Sequence, residues 1–316
     1  MSPPPAISAT ADATSYVETP AVRVPAAVRD GTLIAIGLII ASTIFFSAGD
    51  IVAKSMTDTM HPLQVTWFRY LGFAIIAVPA VFMIRGRHAF STTRPRMQLA
   101  RGLAVCASSA LFILGLGHLG VADNTAINYL SPLFITALSI PLLGEKVGAR
   151  RWAAAFVGFA GVLLVVRPGS DAFQLAALFP VASALVWAFG AIFTRQMADE
   201  RPETTLAWTA AIGFVVLTVL MPFYWTQPSQ FQVGEGLLTG LLSTIGHVLI
   251  VLAFRRASAS TLAPFSYVQL LFAGLFAFLV FGDMPSSWTI AGCLVIAASG
   301  LYTAHRERIR AAAARA

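Results

Sequence analysis

Between Gly31 and Val52 the chain carries one ionisable side chain, Asp50, in the stretch "FFSAGDIVAK". A carboxylate at the centre of a bilayer costs about 2.5–3.5 kcal/mol, so a protein that keeps one there places a partner beside it or uses its charge. Two cations compete for that role. Arg69 lies in the next apolar run, at the same expected depth, and Lys54 lies four residues on along the same helical face. Three readings follow: a gate or contact for a charged part of a cargo, a static pair reaching toward the interface, or a proton-coupling site.

Further polar residues fall inside apolar runs. His247, in "LLSTIGHVLIV", sits mid-run beside Ser243 and Thr244, and is either a hydrogen-bonded packing residue or a functional imidazole. His118 falls near a run end and reads as interfacial. Neither has a companion at metal-binding spacing, so no metal site is expected. Asn124, Asn128, Tyr129 and Ser131 on one run, with Tyr267 and Gln269 on another, must find partners inside the protein. They are interhelical glue or the lining of a binding cavity. Trp67, Trp187 and Trp208 suit an interfacial belt or stacking on a cargo, with Trp187 the deepest. Pro132 and Pro264 interrupt their runs and are hinge or kink candidates. Gly158, Gly161, Gly292 and Gly300 suit close helix packing or a dimer surface.

The elements that position these groups are transmembrane helices. The 316 residues are 57% hydrophobic and 11% charged, with mean hydropathy +0.77, against the roughly 25% charged usage of soluble domains. Runs of 18 or more apolar residues recur, each long enough to cross a hydrocarbon core of about 30 Å. Charge clusters and Pro/Gly turns divide the chain into ten expected spans near 31–53, 64–84, 97–118, 121–143, 150–167, 173–196, 204–225, 234–254, 258–281 and 286–304. Residues 1–30, rich in Pro, Ala, Ser and Thr, read as a disordered tail rather than a signal peptide. Residues 305–316 read as a basic tail.

The net charge of +7 is scattered through short loops rather than gathered on one face, which argues against nucleic acid as a partner. Under ten spans, Arg85, Arg87, Arg94, Arg96, Arg101, Lys146, Arg150, Arg151, Arg195, Arg201, Arg255, Arg256 and both tails fall on one side. Only Lys54 and Arg167 fall opposite, with Arg69 inside a span. The positive-inside rule then puts both termini in the cytoplasm. Cys106 and Cys293 fall within spans without zinc or redox spacing and read as small buried thiols.

The halves of the chain resemble each other. A shift of 141 residues superposes Gly49 on Gly190, Lys54 on Arg195, Trp67 on Trp208, Gly72 on Gly213 and Phe73 on Phe214. A shift of 138 matches Tyr129 with Tyr267, Leu133 with Leu271, Phe134 with Phe272, and Gly144-Glu145 with Gly282-Asp283. Asp50 and Arg69 fall opposite Ala191 and Ala210, so the duplication breaks at the charges. Five spans per copy force the second copy to enter the membrane from the other side. The expected fold is therefore an all-α polytopic membrane protein, a five-plus-five inverted repeat over 31–168 and 173–304. Many secondary transporters use this arrangement to expose one midplane site to each face in turn.

The stretch "ADNTAINYLSPLFITALSIPLLGEKVGARRWAAAFVGFAGVLLVVRPG" and its second copy, with Asp283 in place of the usual Glu, resemble the drug/metabolite transporter superfamily, in its EamA-type ten-helix branch. The resemblance spans about 31–305. It implies secondary transport of a small organic metabolite across the bacterial inner membrane, through a cavity lined mainly by spans 1, 3, 4, 6, 8 and 9. The "GDIVAK … FRYLGF" region is similar to bacterial members that include S-adenosylmethionine and riboflavin uptake carriers. No "GxxxxGK" loop is present, so a gradient or exchange would supply the energy. An enzyme would need a converging acid, base, nucleophile or metal set, which these few intramembrane groups do not form. A channel or regulatory subunit fits a duplicated two-state design less well. No cofactor is expected.

Overall fold

The computed structural model describes residues 26–144, 147–169, 174–257 and 259–313. Glu145, Lys146, Arg315 and most of the expected N-terminal tail lie outside them. Every regular element among the described residues is helical: α1 Ala26–Thr57, α2 Pro62–Arg85, α3 Pro95–Leu116, α4 Val121–Asn128, α5 Ser131–Leu143, α6 Ala149–Val166, α7 Leu178–Gln196, α8 Pro202–Tyr224, α9 Gln230–Phe254, α10 Ala259–Ser266, α11 Val268–Phe281 and α12 Ser287–Ala313. Single 3₁₀ turns follow α2 and precede α7. Helices are what an apolar solvent demands, because each satisfies its own backbone polar groups. Nine helical segments among the described residues are long and apolar enough to span, and Trp152–Val166 within α6 is a shorter apolar one. With α4–α5 and α10–α11 each acting as one span, the chain is a ten-span polytopic membrane protein.

The ends of these helices follow from local chemistry. Pro62, Pro95 and Pro202 open α2, α3 and α8, where a missing N–H costs nothing. Ser229 and Gln232 form a reciprocal capping box at α9. Gly144 and Gly282, one of the repeat-matched pairs, close α5 and α11 with φ of 66° and 72°. That left-handed conformation explains glycine at both places.

Two boundaries differ from the sequence expectation. α1 begins at Ala26, inside the expected tail, and α12 continues through the basic residues to Ala313. Both extensions are rich in alanine, the strongest helix former, which carries the helix beyond the apolar stretch.

Contacts between helices obey an exchange rule. α1 packs on α9 as α3 packs on α7, and α2 on α9 as α8 on α3. α11 packs on α1 as α5 does on α7, while α2 meets α8 and α6 meets α12. Swapping the first five spans for the second five maps this set onto itself. Glycines allow the closest crossings. A Cβ on Gly72 of α2 would lie 2.7 Å from Gly240 Cα of α9, and one on Gly161 of α6 would lie 2.9 Å from the Gly292 carbonyl of α12. The expected glycine stripe on spans 5 and 10 is thus consumed within the chain. Large apolar side chains such as Met83, Phe223 and Phe231 point outward at 88%, 79% and 75% exposure, as expected where the solvent is lipid.

Candidate functional site

Asp50 and Arg69 meet. An Arg69 Nη donates to Asp50 Oδ1 at 2.8 Å, and Asp50 is only 3% exposed. Arg69 Nε donates to Ser243 Oγ at 2.6 Å, so α1, α2 and α9 are tied through one guanidinium. Gly49, beside Asp50, leaves room for this approach, since a Cβ there would already touch Leu242 and Ser243 at 3.5 Å. His247, one turn beyond Ser243, bonds through Nδ1 to the Ser243 carbonyl at 2.8 Å. Its ring lies flat on Phe73 and edge-on to Phe46, with centroids 5.1 and 4.9 Å apart. The imidazole is therefore built into the same polar seam. The sequence set Ser243 beside His247 and Asp50 level with Arg69, but carried no signal that Ser243 meets Arg69 or that Phe46 and Phe73 pack on the imidazole.

Lys54 is not the partner of Asp50. Its ammonium donates to the Leu116 carbonyl at 2.7 Å, satisfying one of the free acceptors at the end of α3. A backbone acceptor of this kind leaves no mark in a charge pattern.

Arg101 also departs from the sequence reading, which counted it as a loop cation. It lies within the span Pro95–Leu116, about 9 Å along α3 from its start at ~1.5 Å per residue. Nε donates to Thr194 Oγ1 of α7 at 2.7 Å, and Nη1 donates to Thr209 Oγ1 of α8.

A second polar layer joins spans 3, 4 and 6. Asn128 donates to Ser183 Oγ at 2.9 Å, and Ser183 and Ser108 exchange bonds with each other's hydroxyls and carbonyls. Asn124, fully buried, donates to the Phe112 carbonyl at 3.1 Å, while its Oδ1 has no partner among the described residues. Asp123 accepts from Thr289 Oγ1 at 2.7 Å, linking α4 to α12.

Spans 4 and 9, expected as single spans with a hinge or kink at Pro132 and Pro264, are both broken at the repeat-matched tyrosines. α4 ends at Asn128 and α5 starts at Ser131, while α10 and α11 are separated by Tyr267. Pro132 explains the first break: it has no N–H for the Asn128 carbonyl, and its ring crowds that oxygen. Pro264 lies inside α10, before the second break, so it is not the point of interruption. Tyr129 and Tyr267 pack with centroids 5.1 Å apart, and Tyr129 Oη donates to the Ser266 carbonyl at 2.6 Å. Ser131 and Gln269 sit half-buried at the starts of α5 and α11, on either side of this meeting point.

Other aromatic candidates lie apart from the seam. Trp187 is 41% exposed on α7. Trp67 donates to Thr218 at 2.8 Å and contributes with Met221, Pro222 and Trp225 to an open groove of about 560 Å³. Trp208 donates to the Phe90 carbonyl at 3.1 Å. His118 bonds to the Leu114 carbonyl of its own helix.

The loops carry locks that the sequence reading did not single out. Glu200 accepts from Thr92 and from both the N–H and hydroxyl of Thr93. Slight desolvation opposes ionisation there, but these bonds and nearby Arg94 hold the carboxyl below its usual range. Arg94 bridges to Asp199 and the Gln196 carbonyl, and Arg255 pairs with Glu203. At the turn between α1 and α2, His61 Nδ1 caps α2 by accepting from Leu63 N–H at 3.2 Å, and burial lowers its pKa. Among the described residues, no group of three or more His, Cys, Asp or Glu is placed to hold a metal.

A ten-span helical bundle with a buried ion pair, a layer of bonded serines and asparagines and two interrupted spans is a multi-pass membrane protein built around a polar interior. The chain belongs to the EamA-like transporter family, whose model matches residues 33–167 and again 174–303. It is 26% identical over 276 residues to an S-adenosylmethionine uptake transporter of Rickettsia bellii, covering 87% of this chain and 94% of that one. It is 29% identical over 274 residues to a riboflavin transporter of Rhizobium johnstonii, covering 84% and 89% respectively. A pseudopaline exporter, CntI of Pseudomonas aeruginosa, is 22% identical over 85% of this chain and 93% of its own. A protein of known crystal structure superposes with a TM-score of 0.62 at 18% identity, over 88% of this chain and 98% of its own, which places the fold.

Proposed function

We propose that the chain is a secondary carrier of the bacterial inner membrane that takes up a small cofactor-like molecule, with S-adenosylmethionine as its cargo. Both termini are cytoplasmic, and the first and second five spans insert in opposite senses. The observation that carries this reading is the exchange symmetry of the helix contacts, with two interrupted spans meeting at Tyr129 and Tyr267. Such a bundle has two equivalent ways to lean, one opening each face. The cargo reading is supported by several relatives named for S-adenosylmethionine uptake, each matched over most of its length.

The carrier would bind and release its cargo without altering it. Asp50, Arg69, Ser243 and His247 hold one side of the path, and Asn128, Ser183 and Tyr129 line the other. Tyr129 and Tyr267 offer flat faces to an aromatic base. The break beside Pro132 supplies the hinge.

Purified protein in liposomes, given labelled S-adenosylmethionine, riboflavin, amino acids and nucleosides with and without a pH gradient, tests the reading. Saturable S-adenosylmethionine entry that is accelerated by unlabelled S-adenosylmethionine on the far side is expected. Riboflavin entry in its place would move the cargo to the flavin class. Failure of every compound to move or compete would overturn the carrier itself.

A further inference from the structure

The polar seam has a counterpart in the other half of the bundle, built from different residues on the matching helices. Asp50, Arg69 and Ser243 come from α1, α2 and α9. Under the exchange of the two five-span sets these helices become α7, α8 and α3. Those three carry Thr194, Thr209 and Arg101, which are likewise joined through one guanidinium, although here it comes from α3, the counterpart of α9, rather than from α8, the counterpart of α2. The 141-residue shift takes position 50 to 191, 69 to 210 and 243 to 102, each within a turn of the residue used. Alanines at 191 and 210 concealed this from a residue-by-residue comparison. One arginine is reached from the start of α2 and the other from the start of α3.

The two clusters differ in charge. Arg69 is neutralised by Asp50, whereas Arg101 has no carboxylate within ion-pairing distance among the described residues. The hydrogens of the Thr194 and Thr209 hydroxyls are already spent on the Gly190 and Thr205 carbonyls, at 2.8 and 2.7 Å. Only their lone pairs face Arg101, so they aim the guanidinium without cancelling its charge. Two of its five N–H groups are used, and the free nitrogen is not among the polar atoms sealed away without a partner. A cation held inside a span in this state is costly unless an anion joins it.

We infer that Arg101 is an anion-binding residue that receives the carboxylate of the cargo in the half of the path opposite the Asp50–Arg69 pair. The planar fork fixed by two threonines presents its remaining donors as a bidentate seat for a carboxylate. The inference rests on the carrier reading and names the group of the cargo that the site selects.

Two arms of one experiment test it. In liposomes, S-adenosylmethionine is compared with its decarboxylated analogue for wild type, Arg101→Gln and Arg101→Lys. Wild type is expected to prefer the carboxylate-bearing molecule. Arg101→Gln should lose about ten- to a hundredfold in apparent affinity for it and erase the preference. Arg101→Lys, which keeps the charge without the fork, should fall between, and it decides the matter if the Gln variant does not fold. Retention of the preference by the neutral variant, or by the Lys variant at full strength when it alone folds, would overturn the inference and leave the carrier reading intact.

The second arm does not depend on the cargo. Full-length protein in detergent is treated with phenylglyoxal, and Arg101 modification is followed by peptide mass. Succinate should slow that modification where neutral succinamide does not. An Arg101 that fails to react, or reacts equally fast in both, sinks the proposal. If wild type moves neither S-adenosyl compound, the cargo reading fails and this arm alone decides the anion site.

Discussion

Replacing either member of the Asp50–Arg69 pair should do far more damage than replacing both. The two charges stand 2.8 Å apart with side chains 4% and 13% exposed. At an effective dielectric of 20 their attraction is about 6 kcal/mol, most of which offsets the cost of taking both out of water. Arg69→Gln leaves a buried carboxylate with no cation, for an expected loss of about 3–5 kcal/mol. Asp50→Asn should fall at the lower end of that range, because Arg69 keeps Ser243 and is less deeply buried. The double variant carries no unbalanced charge and should lie within about 2 kcal/mol of wild type. Unfolding of the four proteins in mixed micelles yields the coupling energy directly. A double variant whose loss equals the sum of the single losses would show that the pair contributes nothing as a pair. The electrostatic account of why a carboxylate is kept in the first span would then be wrong.

Other consequences concern packing, capping and the centre of the bundle. Gly161→Leu places a side chain where a Cβ already approaches the Gly292 carbonyl to 2.9 Å; overpacking should cost about 1–3 kcal/mol, read as a lower thermal midpoint. His61 accepts the Leu63 N–H only when Nδ1 is unprotonated, and its folded pKa lies below 6.5. Its cap, worth about 1 kcal/mol, is therefore complete above pH 6.5 and lost as pH falls through the folded value. The protection of the Leu63 amide, its intrinsic exchange rate divided by the observed rate at the same pH, should weaken as pH falls below 6.5 in wild type and stay flat in His61→Asn. Tyr129→Phe removes the bond to the Ser266 carbonyl, costing about 0.5–1.5 kcal/mol; transport should change by a larger factor than that small stability loss implies, compared at matched temperature below both midpoints.

Much of the architecture was legible because lipid leaves few choices. Long apolar runs and one-sided basic loops dictate ten helical spans, and the common depth of Asp50 and Arg69 made their contact one of two options, Lys54 being the other. What escaped depends on contacts between helices far apart in sequence. Ser243 lies 174 residues from Arg69, and a serine in an apolar helix carries no signal of its partner. Arg101 was misread because a cation about one and a half turns inside a span looks like a loop residue to any rule that counts basic residues near span ends. Lys54 turned to a carbonyl rather than a charge. The breaks in spans 4 and 9 cost only a fraction of a helical turn, which leaves hydrophobic periodicity intact. Pro132 marked one of them, but Pro264 pointed to a position short of the other.

The account stands on a central region at Tyr129 and Tyr267 that opens to one face and then the other. Both free cysteines, Cys106 and Cys293, can be replaced by alanine and a single probe introduced as Ser131→Cys or Gln269→Cys. Oriented vesicles are then exposed to a charged, membrane-impermeant thiol reagent from each side in turn. Labelling from both faces, slowed at each by S-adenosylmethionine, is predicted. Labelling confined to one face, with and without S-adenosylmethionine, would contradict alternating access in this protein.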